Sequence, residues 1–585
     1  MQKVKNHILL ICVVLVGGMN LLLAQAEDNI GTQKVTVTKS YTPSLSESFK
    51  LKTEEFDVNA LLPEPKKLEY KAQEVEVVST FVPNKATPLK LQRKKKLPST
   101  NSQLSLGFGN LNQYLFDASV RTPLDSQQAL GLDVFLEGEG NVPDTAIPSN
   151  RSQTDIAATH QYNTSQFSAL HQLGFEGITS NYYGWYPEDA TVNDNVRNES
   201  LTFNQQFYSV LAKSQWQWYN NWLEQINAKF RYTGDAFGTT EQFVQIAPNF
   251  RIALFNAYLD INPSIDFLRT NFQSDYYTYE IAEHDQSKAS VQVQLSDVRK
   301  KFKYKLGAKA QYLFTANTLE ATQFFIYPEV FVAYSDPNKK MQPYLKVSGN
   351  LNLNSYYAAF QANPFVAPSL ELVPTDEKYS GELGFTTLFQ SGVEFQLAGQ
   401  YSQTDNFSLF QRLALDPLVQ EEGYKIANSF GLIYDQVEKY GAYAGLKYKT
   451  KNQSEFQVKI QQNTYSLEQQ TYAWNLPDLE ADITSVINIG EKLKWFTSLQ
   501  FIGSRISADR PILLLQDPLL NQAEAKNLSA VTFLKSEVSY IVYKDWNAFI
   551  RYRSVFGENP FLWDYTPLNQ NLILLGARYK FNITL

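Results

Sequence analysis

Cysteine is nearly absent from this 585-residue chain, Cys12 being the only one. It lies in a segment expected to be removed, which leaves the mature protein no disulfide and no thiolate metal site. Histidine is scarce too, with four in all, and His7 is lost with the same segment. Metal-dependent and histidine-dependent catalysis are therefore poorly supplied. After residue 26 no stretch of about 18 apolar residues occurs, which excludes a transmembrane helix in the mature chain. Charged residues make up only 19%, yet aromatics reach 14%, with 35 Tyr and 38 Phe. The chain is too polar for a helical membrane protein and unusually aromatic for a soluble enzyme.

Residues 1–26 form an export signal. Lys3 and Lys5 give its basic start, Ile8 to Leu23 its apolar stretch, and Ala24-Gln25-Ala26 a small-residue cleavage site. Cys12 sits in mid-stretch, so lipid modification is not expected. Residues 27–101 form a periplasmic extension rich in proline and ending in the basic run Arg93-Lys94-Lys95-Lys96. A short repeat links Val35 through Tyr41 to Pro43 with Val75 through Phe81 to Pro83. Each copy reads as a brief strand stopped by proline, with Tyr41 and Phe81 as anchors. The pair is expected either to join each other or a partner's sheet edge, or to be an extended linker.

From residue 102 apolar and polar residues alternate. Phe302, Tyr304, Leu306, Ala308, Ala310, Tyr312 and Phe314 stand opposite Lys301, Lys303, Lys305, Lys309 and Gln311. Ile226-Ala228-Phe230-Tyr232 alternates with Lys229 and Arg231, and Trp546-Ala548-Ile550-Tyr552 with Arg551 and Arg553. At the C-terminus Ile573, Leu575, Ala577, Tyr579, Phe581, Ile583 and Leu585 alternate with Gly576, Arg578, Lys580, Asn582 and Thr584, and the chain is expected to stop within that strand. A period of two puts one face in an apolar medium and the other in water. With no apolar helix available, a chain in lipid must form a closed barrel. About twenty-two strands can be counted, the first near residue 102 and the last near 572, with others near 198, 288 and 439. Short turns alternate with long loops, among them 354–378, 404–437 and 507–528. The expected fold is all-β, a large transmembrane antiparallel barrel over 102–585.

Asn363-Pro364 followed by Glu382-Leu383-Gly384, and Gly557-Glu558-Asn559-Pro560 before Arg578-Tyr579-Lys580-Phe581, resemble passages of TonB-dependent receptor barrels. The resemblance implies a 22-stranded outer-membrane barrel of a Gram-negative envelope, importing ligands too large for porins. That family carries a plug domain ahead of the barrel, and the 75 residues from 27 to 101 are too few for one. With no TonB-binding segment either, the sequence gives no support to TonB-coupled import.

The barrel region carries a net charge of −12 against +3 for the extension. Lys229, Arg231, Lys301, Lys303, Lys305, Lys309, Arg551, Arg553 and Arg578 nevertheless fall on the lumenal face. They are expected either to favour anionic solutes or to pair with lumenal acids and support the wall. His160 and His171 fall on the lipid-facing side of adjacent strands and suit interfacial packing, while His284 stands between Glu283 and Asp285 in an acidic loop. No phosphate-binding glycine loop, nucleophile elbow or other catalytic constellation is present, and neither enzyme activity, nor a cofactor, nor nucleic-acid binding is expected. Two loops are oddly apolar. Leu513, Leu514, Leu515 and Leu519 in one, and Phe410 in the other, are expected to meet a partner or to fold over the lumen.

Two functions fit these features. One is a channel or receptor that moves a solute or macromolecule across the outer membrane. The other is a silent barrel that docks a lipoprotein or an envelope assembly partner. Because even 16–18 strands leave an aqueous channel, something must fill the lumen. Part of 27–101 is expected to do so at the periplasmic mouth.

Overall fold

The computed structural model describes residues 100–583, apart from 144, 185–200, 220, 300, 316–322, 337–339, 390–391, 417–418, 420 and 510–523. The signal, the extension with Tyr41 and Phe81, and the loop leucines 513, 514, 515 and 519 lie outside the described residues.

The chain runs through β1 (Ser102–Gly109), β2 (Tyr114–Pro123), β3 (Gln128–Glu139), β4 (Arg151–Asn163), β5 (Phe167–Asn181) and β6 (Asn204–Trp218). Next come β7 (Leu223–Gly234), β8 (Thr240–Leu254), β9 (Ala257–Phe272), β10 (Ala282–Arg299), β11 (Phe302–Thr315), β12 (Gln323–Tyr334) and β13 (Met341–Asn352). A short helix, α1 (Tyr356–Ala362), precedes β14 (Thr375–Leu388), β15 (Val393–Arg412), β16 (Phe430–Lys449), β17 (Glu455–Leu467) and β18 (Leu479–Ile489). The last strands are β19 (Leu493–Ile502), β20 (Arg505–Asp509), β21 (Glu524–Leu528), β22 (Val531–Tyr543), β23 (Trp546–Phe556) and β24 (Leu572–Phe581).

Twenty-two of these form one antiparallel sheet in which each strand pairs with its sequence neighbours, β19 with β22 across a separate β20–β21 hairpin. The sheet closes because β24 pairs with β1, from Ser102 opposite Phe581 to Gly109 opposite Leu574. Asn101 seals the foot of this seam, donating through its amide to the Ile583 carbonyl at 3.0 Å and accepting from the Ile583 N–H at 3.1 Å. Closure leaves no strand edge for lipid to face. The outward row is apolar and exposed, as at Phe108, Leu173, Ile326 and Leu383. Tight turns join the strands at one end, periplasmic in barrels of this kind, and long loops join them at the other.

Strand starts near 198, 288 and 439 become Asn204, Ala282 and Phe430. β15 and β16 are 20 residues each, about twice the span that lipid requires. Their upper parts stand beyond the lipid, so residues there such as Asp435 and Gln436 carry no apolar alternation. The expected loop 404–437 thus contains the tops of two strands, and the expected loop 507–528 contains part of a hairpin.

Gly107 faces Gly576 across the seam. The Phe549 ring, 2% exposed, packs with Leu115 and Leu574. A Cβ placed at Gly576 would collide with that ring and with the Leu106 carbonyl. Gly576→Val is therefore expected to weaken closure by about 1–3 kcal/mol through overpacking. The folded band in unheated gel electrophoresis should convert to the unfolded band at a lower temperature than in the wild type.

Candidate functional site: the loop cap over the lumen

Side chains converge on the concave face of a barrel, so contacts between strands that are not neighbours mark the inner wall. Arg551 on β23 reaches Glu137 on β3 at 3.6 Å and Glu537 on β22 at 2.9 Å. Arg553 meets Glu139 at 3.0 Å, and Arg578 meets Glu537 at 3.2 Å. These three arginines and three glutamates form one balanced ladder on the wall. Lys309 pairs with Glu329 at 2.6 Å and donates to the Gly349 carbonyl at 3.2 Å. Lys229 lies 5.2 Å from the Phe243 ring. Lys303 and Lys305 share the face of Lys309 lower on β11 and are exposed. Lys301 stands apart, in the turn between β10 and β11, paired with Asp336 at 2.7 Å.

The loops at the other end do not splay into solvent. Ile147 from the β3–β4 loop, Tyr182 and Tyr183 from β5–β6, and Tyr276 from β9–β10 pack with Phe365 and Ala367 from β13–β14. Tyr424 and Ile426 from β15–β16 and Trp563 from β23–β24 complete the cluster, with Phe237 from β7–β8 against it. Tyr182 and Ala367 are fully buried. Phe410, at the top of β15, belongs to this core and meets the Trp563 ring edge-on at 5.3 Å. Seven connections from around the barrel thus share one apolar interior.

A second cluster holds α1 against the wall formed by β5 to β9. Ser355 caps the helix by accepting from the Ala358 N–H. Glu241 on β8 accepts from the N–H groups of Tyr356 at 2.6 Å and Tyr357 at 3.2 Å, and from the Thr270 hydroxyl at 2.8 Å. Tyr356 donates to Asp235 at 2.8 Å and Tyr357 to Glu176 at 3.1 Å. Phe360 stacks on Phe207 at 3.8 Å, and the Arg231 guanidinium covers the Tyr357 ring at 3.5 Å. Since α1 leaves from β13 and meets β5 to β9, four or more strands away, its loop folds inward rather than staying above its own strands. Burial pushes the loop residue Asp235 above its ordinary carboxyl value, despite the hydrogen bonds it accepts.

Buried charges tie the loops further. Arg412 lies 3.6 Å from Asp564, and Lys526 of β21 lies 2.9 Å from the same carboxylate. Both Arg412 and Asp564 are essentially fully buried. Lys526 also lies 3.6 Å from the Tyr565 ring. Arg505 donates to the carbonyls of Leu562 at 2.7 Å and Phe561 at 2.9 Å, and burial lowers its pKa to about 10. Lys425, wholly buried, lies over the Tyr279 ring at 3.6 Å and 3.8 Å from Asp416, and Tyr279 donates to that same carboxylate. Burial lowers Lys425 and raises Asp564, the latter only partly countered by Arg412 and Lys526. Burial also pulls Lys526 down, but Tyr565 and Asp564 outweigh it and leave Lys526 above the ordinary lysine value.

No family profile matches the chain, and no curated protein matches it. Among solved structures, the FrpB iron transporter of Neisseria meningitidis (F3-3 variant) superposes with a TM-score of 0.60 at 10% identity, covering 83% of this chain and 82% of that one. The barrel has the fold of the TonB-dependent receptors. The ferric-catecholate import receptor Fiu of Escherichia coli K12 in its closed form gives 0.57 at 9% identity over 83% and 82% of the two chains. The pyoverdine receptor FpvA of Pseudomonas aeruginosa PAO1 gives 0.56 at 12% over 84% and 80%. At these identities the likeness to TonB-dependent receptors is one of fold.

Asp564→Asn removes the carboxylate 3.6 Å from the buried Arg412, and is expected to cost the cap about 3–5 kcal/mol. Arg412→Met with Asp564→Leu should recover most of it. With no cysteine after Cys12, an Ile147→Cys reporter, buried in the cap, checks this. Its labelling by an impermeant maleimide should rise in the Asn variant and fall again in the double variant.

The same reporter tests pH. A lysine whose folded pKa is raised lends stability that is complete below its unfolded value of 10.5 and lost as pH rises through the folded one. Labelling of Ile147→Cys, relative to an exposed Ile281→Cys, is expected to climb above pH 10.5. Lys526→Met should lessen that rise, the remainder coming from Tyr182, Tyr276 and Tyr424, which burial raises above the ordinary tyrosine value.

Proposed function

We propose that this chain is an outer-membrane transport barrel of the TonB-dependent receptor fold, in which a cap of its own loops must open before a solute or macromolecule passes. The observation that carries this reading is the pairing of an apolar loop core with buried ion pairs above a wide, polar-walled lumen. A permanently closed mouth would be held as well or better by apolar packing alone, because desolvating an ion pair offsets most of its attraction. Charges buried between separate loops make a closure that rearrangement or a bound ligand can undo. The solved neighbours include an iron transporter, a ferric-catecholate import receptor and a pyoverdine receptor, which supports a transport role without naming a ligand for this chain. We further propose that part of residues 27–101 narrows the periplasmic mouth in place of a plug.

Single-channel recording in planar bilayers tests both closures. The wild type should be nearly silent, Asp564→Asn should open frequently, and deletion of 30–90 should add conductance to the Asn variant. If the Asn variant labels at Ile147→Cys yet stays silent with and without the deletion, transport is wrong. A lipoprotein or assembly partner recovered with the barrel in mild detergent would then favour the docking role.

A further inference from the structure

His160 and His171 lie side by side on adjacent strands of the outward face, near the short-turn end, and neither takes part in the cap or the inner wall. Their rings stack at 5.8 Å with planes 13° apart, and the Trp216 ring meets His171 edge-on at 5.2 Å. Directly above them, toward the middle of the lipid-facing band, the outer surface is hollowed. On β4 the small side chain of Ala158 stands between Leu132 of β3 and Leu173 of β5, its partners in register. Both leucines project from the surface, at 44% and 65% exposure, and form the walls of a groove whose floor is Ala158. Its lower end is formed by Leu130 and the two imidazoles.

The hydrogen bonds of the pair point to the nitrogen that each ring leaves over. His160 Nε2 lies 3.2 Å from Gln128 Oε1, an oxygen that can only accept, so this nitrogen carries the proton and Nδ1 is left with a lone pair. His171 Nδ1 lies 3.0 Å from the Ser214 hydroxyl, which already accepts from the Trp216 indole N–H at 2.9 Å. Donation of the serine's own hydrogen to Nδ1 is the arrangement that gives all three groups a partner, and it leaves Nε2–H of His171 as a donor. One ring offers an acceptor and its neighbour a donor, below an apolar channel that runs into the hydrocarbon.

We infer that this groove seats a single aminophospholipid of the periplasmic leaflet. One acyl chain lies over Ala158 between Leu132 and Leu173, the phosphodiester accepts from His171 Nε2–H, and the headgroup ammonium donates to His160 Nδ1. Phosphatidylethanolamine supplies both partners. Phosphatidylcholine has the same phosphate but no N–H to donate, which makes the choice between them a direct readout of the histidine pair.

The test uses the full-length barrel, purified in mild detergent, equilibrated with vesicles of equal phosphatidylethanolamine and phosphatidylcholine, and examined by native mass spectrometry. The wild type should retain one phosphatidylethanolamine in preference to phosphatidylcholine by about tenfold, the worth of one or two hydrogen bonds. His160→Phe with His171→Phe should abolish the preference, and Ala158→Trp, which fills the floor, should remove the retained lipid. Ile265→Trp on the outward face of β9 serves as control and should retain it. Gel mobility before and after heating shows whether each variant is a folded barrel, so a folding failure is separated from lost lipid. Equal retention of the two lipids by the wild type, or retention by Ala158→Trp equal to that of Ile265→Trp, would overturn the inference.

Discussion

An unpaired strand edge is intolerable in hydrocarbon, where no water can satisfy its N–H and C=O groups. The whole molecule depends on the pairing of β1 with β24 that removes the last such edge. That seam is short, since β1 has only eight residues, and it has been given close backbone approach at Gly107 and Gly576 with an aromatic ring laid against it from inside. Once it is made, the remaining features follow in order. The outward rows become apolar, the inward rows carry the Arg551, Arg553 and Arg578 ladder, and the long loops fold together over the lumen.

The loops are held together, at the long-loop end, by two kinds of interaction with opposite energetics. Apolar burial around Tyr182, Phe430 and Trp563 is non-directional and favourable wherever the loops meet. The polar ties are directional and costly to misplace. Glu241 of β8 receives the start of α1 from beyond β13, and Asp564 gathers Arg412 and Lys526 from separate segments. Apolar contacts make the cap compact, and the polar ties select one arrangement of it.

The barrel was legible in the sequence because lipid writes a period of two into every spanning strand. Strand count and most strand starts follow from that pattern alone, as with β11 at Phe302 and β24 at Leu572. The pattern fails where lipid ends. The top of β16 around Asp435 and the start of β10 at His284 carry no alternation, because neither face there meets hydrocarbon. The cap was less legible still. Arg412, Asp564, Lys425 and Glu241 sit in stretches with no motif, and their partners lie in loops far along the chain. Only the unusual apolarity around Phe410 pointed to burial. Whether those side chains would meet a partner or one another is a matter of three-dimensional convergence, which spacing along one chain does not encode.

The cap also fixes an order of events during assembly. Asn569 donates to the carbonyl of Gly140, 429 residues earlier, and Tyr183 donates to that of Pro567, 384 residues later. Contacts of such separation reward their loop-closure entropy only after everything between has been placed. The first long loop and the last one cannot meet until the final hairpin has inserted and the seam has joined. The loop core is therefore completed as the last step. A complete loop core marks a finished barrel, and a barrel missing its terminal strands would lack the contacts of its first and last long loops.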